Sequence, residues 1–111
     1  MKKVLFASAL ILISNTAFAA FNGPQAQGIN TVSAALEAKD DSYVELTGNI
    51  VESLGNETYL FKDQTGEIQI EIDHEDWMGQ DVAPADTVVI RGEVDSEWTT
   101  SQIDVDAIKK L

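Results

Sequence analysis

Three groups of side chains in this chain could do chemistry. The first is Asp73-His74-Glu75-Asp76, in which carboxylates flank the only histidine. Carboxylates and an imidazole can bind a divalent ion. Four consecutive residues rarely converge on one ion, and no second histidine stands at a ligand spacing. The segment therefore reads as a solvated loop with at most weak cation affinity, and no metal site is expected. The second group is Glu93, Asp95, Glu97, Asp104 and Asp106. Two paired strands would place several of these on one face, which is either an ordinary solvent face or one that attracts a cation. Paired carboxylates also suit glycoside hydrolysis, but a chain this small has little room for the sugar cleft that chemistry needs.

The third group is aromatic: Tyr43, Tyr59, Phe61, Trp77 and Trp98. Tyr59 and Phe61 share one face of a strand. That face is either a barrel interior or an exposed stacking platform; a small barrel needs large fillers, which favours the interior. Trp77 lies in a loop and Trp98 in a turn beside Glu97, where an indole among carboxylates could hold a cation. The candidate ligand-binding residues are therefore Trp77, Trp98, Glu93, Asp95, Glu97 and Asp104. There is no cysteine, no recognisable serine, threonine or lysine nucleophile motif, no phosphate loop and no dinucleotide fingerprint. No enzyme activity and no cofactor are expected.

The elements that must position these groups are mostly strands. Thr31 can cap a short helix to about Lys39, with Val32, Ala35, Leu36 and Lys39 on one face. From Tyr43 the period becomes two, and Val44, Leu46, Gly48 and Ile50 point one way. Leu54-Gly55-Asn56 reads as a turn, and Thr58–Lys62 as a second strand. Asp63-Gln64-Thr65-Gly66 is a hairpin signal. Glu67–Asp73 alternates, with Ile68, Ile70 and Ile72 inward. Residues 74–86 interrupt the pattern. Thr87–Asp95 is a fourth strand and Ser101–Val105 a fifth. Val44-x-Leu46-x-Gly48-x-Ile50 matches Val88-x-Ile90-x-Gly92-x-Val94, so two strands bent at glycine should occupy related places in one curved sheet. Five short strands with a connector after the third predict a mostly β, five-stranded OB-fold barrel preceded by a short helix.

The amino terminus carries an address. Met1-Lys2-Lys3, an apolar run from Val4 to Ile13 and Ala17-Phe18-Ala19 have the layout of a secretory signal peptide over residues 1–19. Residues 20–30, rich in Gly, Gln and Asn, read as a flexible arm, and residues 31–111 as the OB-fold domain. The whole chain has a formal charge of −12; loss of the leader removes two lysines and no acid, which leaves 92 residues at −14. That charge repels nucleic acid and anionic lipid and attracts cations.

The pattern Gly48-Asn-Ile-Val-Glu52, Tyr59-Leu-Phe-Lys-Asp63, Gly66, Ile72-Asp-His74, Trp77, Gly79, Val82, Pro84, Asp86-Thr-Val88, Gly92-Glu-Val-Asp95, Trp98 and Ile103-Asp-Val105 resembles the bacterial OB-fold (BOF) family of small periplasmic stress-tolerance proteins. The resemblance covers about residue 21 to the end. It implies a periplasmic OB barrel with an N-terminal helix, linked to tolerance of envelope stress. It supplies no catalytic motif. The expected function is a non-enzymatic periplasmic binding module for a cationic or small envelope-derived ligand: a cationic peptide, a polyamine, a divalent cation or a peptidoglycan fragment. The alternative is a module that docks on an envelope enzyme or sensor. Nucleic acid is not expected, nor stable membrane insertion once the leader is cleaved.

Overall fold

The computed structural model describes residues 28–97 and 100–111. The leader, most of the arm, and Trp98 lie outside the described residues. A short helix, α1 (Val32–Leu36), precedes five strands: β1 (Tyr43–Gly55), β2 (Thr58–Asp63), β3 (Gly66–Ile72), β4 (Val88–Asp95) and β5 (Gln102–Lys110). A 3-10 turn, His74–Trp77, follows β3. The strands close in the order β1-β2-β3-β5-β4, with β4 returning to β1. All pairings are antiparallel except β3 with β5. This is the predicted five-stranded OB barrel.

Alternation drives the closure. Val44, Leu46, Ile68, Ile70, Ile72, Val88, Ile90, Val94 and Ile103 are buried, and no polar or charged residue is buried among the described residues. Each large apolar side chain taken from water contributes about 1.5–3 kcal/mol. Without disulfides, this interior carries the stability. Phe61 is fully buried, so the interior reading holds for it. Tyr59 points the same way but sits at the barrel end, where it is half-buried.

Gly48 and Gly92 are places where neighbouring strands come too close for a side chain. A Cβ on Gly48 would meet the Lys62 carbonyl oxygen and lie 2.9 Å from the Phe61 ring; one on Gly92 would meet the Asp104 carbonyl oxygen. The two similar strand segments are each other's partners: Gly48 lies opposite Val88 and Gly92 opposite Val44.

Three boundaries differ from the sequence reading. Helix α1 ends at Leu36 rather than near Lys39. The Glu37 and Ala38 N–H groups bond three residues back, which tightens the last turn, and Leu36 is left 45 % exposed. Strand β1 runs through Leu54 to Gly55; the turn falls at Asn56-Glu57, both at positive φ. Strand β5 continues to Lys110 because a bulge hides its second half. Val105 faces Gly92 while Ala107 faces Arg91, so Asp106 is the extra residue. Val105 and Ile108 both point inward although three residues apart, and a strict period of two loses the strand there.

Side chains lock the parts that the strands leave loose. Thr31 Oγ1 accepts from Ala34 N–H at 3.2 Å, as expected of an N-cap. The Asp63 carboxylate accepts from Val32 N–H at 2.9 Å and Thr65 N–H at 2.7 Å, joining α1 to the β2–β3 turn. The Gln80 amide stands in for a missing strand beside β5: its Nε2 donates to Ile108 O at 2.8 Å, and its Oε1 accepts from Lys110 N–H at 2.9 Å.

Candidate functional site

Carboxylates converge on the outer face of β4, β5 and β3. Since Val94, Ile103 and Ile72 point inward, Glu93, Asp104 and Glu71 point outward. The register sets them side by side: Glu93 is opposite Asp104, and Asp104 is opposite Glu71. Neighbouring strands are about 4.8 Å apart, so three acids stand in one row with no basic residue between them. The adjacent row is Asp95, Gln102 and Gln69. There Gln69 Nε2 donates to Gln102 Oε1 at 3.0 Å. Asp95 and Glu97 line a shallow hollow of about 260 Å3 with these glutamines.

The row ends in a tighter group. Glu57, Glu71 and Asp73 each offer a carboxylate oxygen within 4.8 Å of the others. Glu57 comes from the β1–β2 turn and Asp73 from the end of β3. Glu57 is held there because its carboxylate accepts from His74 N–H at 2.9 Å. Burial, followed by the charges of Asp104, Asp73, Glu57 and Asp95, raises Glu71 above the ordinary glutamate value. Burial, followed by Asp106, Asp73, Asp95 and Asp76, raises Asp104 in the same direction. An all-oxygen donor set suits hard cations such as Ca2+ or Mg2+.

The structure sorts the sequence candidates into three places. Glu93 and Asp104 belong to the row, and Asp95 and Glu97 to the neighbouring hollow. Trp77 is elsewhere: it packs edge-on against Tyr59, ring centroids 5.4 Å apart at 80°, and closes the barrel end. Trp98 lies outside the described residues. The Asp73-His74-Glu75-Asp76 cluster does not act as a unit. Asp73 joins Glu57 and Glu71, whereas His74 opens the 3-10 turn. Sequence reasoning missed Glu57 and Glu71. The alternation already placed Glu71 outward; the missing signal was the parallel pairing of β3 with β5, which the OB topology supplies. A hollow of about 650 Å3 lies over β1 between Thr47, Asn49, Lys62 and Thr65. Its one acid, Asp63, is already committed to backbone N–H groups.

A closed five-stranded barrel of this order, with a helical interruption after β3, defines an OB-fold protein. The chain belongs to the bacterial OB fold (BOF) protein family, whose model matches residues 13–110. It is 47 % identical over 83 residues to protein YgiW of Escherichia coli (strain K12), a match that spans 75 % of this chain and 64 % of YgiW. It is 38 % identical over 106 residues to the calcium-regulated OB-fold protein CarO of Pseudomonas aeruginosa, covering 94 % of this chain and 91 % of CarO. The solved structure of YgiW from E. coli superposes with a TM-score of 0.73 at 45 % identity, over 82 % of this chain and 97 % of that one. None of these relatives is named as an enzyme.

Proposed function

We propose that this protein is a non-enzymatic binding module of the bacterial envelope that takes cationic ligands on the outer face of β4, β5 and β3. One observation carries the reading: Glu93, Asp104 and Glu71 stand directly opposite one another in a single cross-strand row. Like charges so placed destabilise a sheet by a few tenths of a kcal/mol to about 1 kcal/mol per pair. A bound cation turns that repulsion into attraction, so the face is worth more to the fold occupied than bare. The overall charge supports it, and so does the name of CarO, a relative described as calcium-regulated. The leader motif supports an address outside the cytoplasmic membrane, and the family resemblance supports a part in envelope stress tolerance.

The test is a titration of the purified protein with Ca2+, Mg2+ and spermidine, followed by amide NMR shifts and thermal unfolding. Shifts should map to Glu57, Glu71, Asp73, Glu93 and Asp104, and Tm should rise with the cation. Glu71→Gln combined with Asp104→Asn should weaken both responses by about tenfold or more. A response that spreads over all acids equally, or survives the double variant, refutes a defined site.

A further inference from the structure

Beside the acidic row the barrel end opens into a groove of about 460 Å3. Its walls are Tyr59, His74, Trp77, Gln80 and Asp81, and Gly79 leaves one side without a side chain. Tyr59 and Trp77 are half-buried and hold each other in an edge-to-face pair, so their orientation is set before any ligand arrives. The residues that line the groove carry three polar tips: the Tyr59 phenol, the Trp77 indole N–H and the His74 imidazole. None has a hydrogen-bond partner among the described residues. Gln80, by contrast, is fully used in bonds to Trp77 O, Ile108 O and Lys110 N–H.

Acidic groups outnumber basic ones around the groove. Asp81 lines it, Asp73 and Asp76 flank it in sequence, and Glu57 reaches it through the His74 N–H. Lys110 donates its ammonium to Asp81 O at 2.8 Å and lies 3.6 Å from Asp86, so it is already engaged. Aromatic rings, the acceptor oxygen of the Tyr59 phenol and an acidic rim together fit an organic cation, whose N–H groups only donate. The rings accept its positive face and its alkyl portion, and the acids supply the counter-charge. A bare metal ion has no use for the rings.

We infer that the Tyr59–Trp77 groove is a binding site for alkylguanidinium or alkylammonium groups, and that it gives the acidic face a preference for organic over inorganic cations. The inference rests on the cationic-ligand reading above and adds a second, chemically different subsite to it.

The probes are n-butylguanidinium, its neutral isostere n-butylurea, spermidine and Ca2+. The readout is the indole N–H resonance of Trp77, assigned with a Trp98→Phe variant, and the Tyr59 ring signals. Butylguanidinium and spermidine should shift both, butylurea should be weaker by about fivefold or more, and Ca2+ should leave the indole resonance in place. Asp81→Asn, whose carboxylate makes no bond among the described residues, should weaken butylguanidinium with the fold intact. Trp77→Leu should weaken it about fivefold with the Ca2+ response of Glu71 unchanged. Equal binding of butylurea and butylguanidinium, or an Asp81→Asn protein that binds as well as the parent, overturns the inference. A Ca2+ titration that moves nothing while butylguanidinium still shifts Trp77 overturns the row and leaves the groove standing.

Discussion

Asp104→Asn should make the protein more stable and a poorer cation binder at the same time. Asp104 stands between Glu93 on β4 and Glu71 on β3, so its charge takes part in two opposed like-charge pairs. Such pairs cost about 0.2–1 kcal/mol each. Asp104 is exposed and screened by solvent, so the low end applies, about 0.3 kcal/mol per pair and about 0.6 kcal/mol in all. A domain of this size gains about 4–8 °C in Tm per kcal/mol, which predicts a rise of about 2–5 °C. The assay is thermal unfolding in low salt and again in 1 M NaCl, where the Debye length falls to about 3 Å and the gain should largely vanish. The pH response follows with the same sign. Glu71 and Asp104 have raised values in the folded chain, so their contribution is fully present below the ordinary values of 4.5 and 3.8 and is lost as pH rises through the raised ones. The parent protein should therefore gain stability on mild acidification, and Asp104→Asn should gain less. A variant that is less stable than the parent, or whose gain ignores salt, refutes the claim that the row stores repulsion.

Asp63 should behave in the opposite way. Burial alone would raise it, but hydrogen bonds from the Thr65 hydroxyl and the Val32, Thr65 and Gly66 N–H groups outweigh burial and hold it below 3.8. Its stabilisation is present above that value and is lost as pH falls through the lowered one, a window below that of Glu71. Asp63→Ala should cost about 1–3 kcal/mol in urea unfolding at pH 7 by stranding those donors, and should flatten the acid limb of the stability profile. Gly92→Ala should cost about 2–3 kcal/mol, because its Cβ meets backbone at Asp104 and not a side chain that can swing away; matching Tm values for the parent and this variant would show that the barrel can open there.

The barrel was legible in the chain because its interior is uniformly apolar. Val44, Leu46, Ile68, Ile70, Ile72, Val88 and Ile90 follow a period of two, and all are buried. Gly48 and Gly92 marked the two tight approaches. The elements that escaped are those set by contacts distant in sequence. The second half of β5 is disguised by the bulge at Asp106, and α1 stops early where the chain must turn towards β1. For the candidate site, four acids could be grouped from the chain because they sit on neighbouring strands β4 and β5 or in the turn between them. Glu57 and Glu71 were missed because only the parallel β3–β5 pairing and the hydrogen bond from His74 N–H to Glu57 bring them in. Trp77 was singled out beside the carboxylates of β4 and β5, but it packs against Tyr59.

The position of the acids gives them their meaning. OB-folds bind ligands on the face of strands two and three and on the loops that join strands one to two and four to five. When the ligand is a nucleic acid, that face needs a basic groove and exposed aromatics. In this chain the same region carries Glu57 on the β1–β2 turn, Glu71 on β3, and Asp95 and Glu97 at the start of the β4–β5 loop. Lys62 and Arg91 are set apart from them: Lys62 borders the hollow over β1, and Arg91 lies 3.6 Å from Glu45. A solubilising charge could be spread anywhere on the surface. Here it is stacked opposite itself across three strands, at a cost to the fold, and beside the β1–β2 turn and β4–β5 loop where this architecture receives its ligands. The opposed changes in stability and binding expected of Asp104→Asn test whether that coincidence marks the proposed cation-binding face or general acidity.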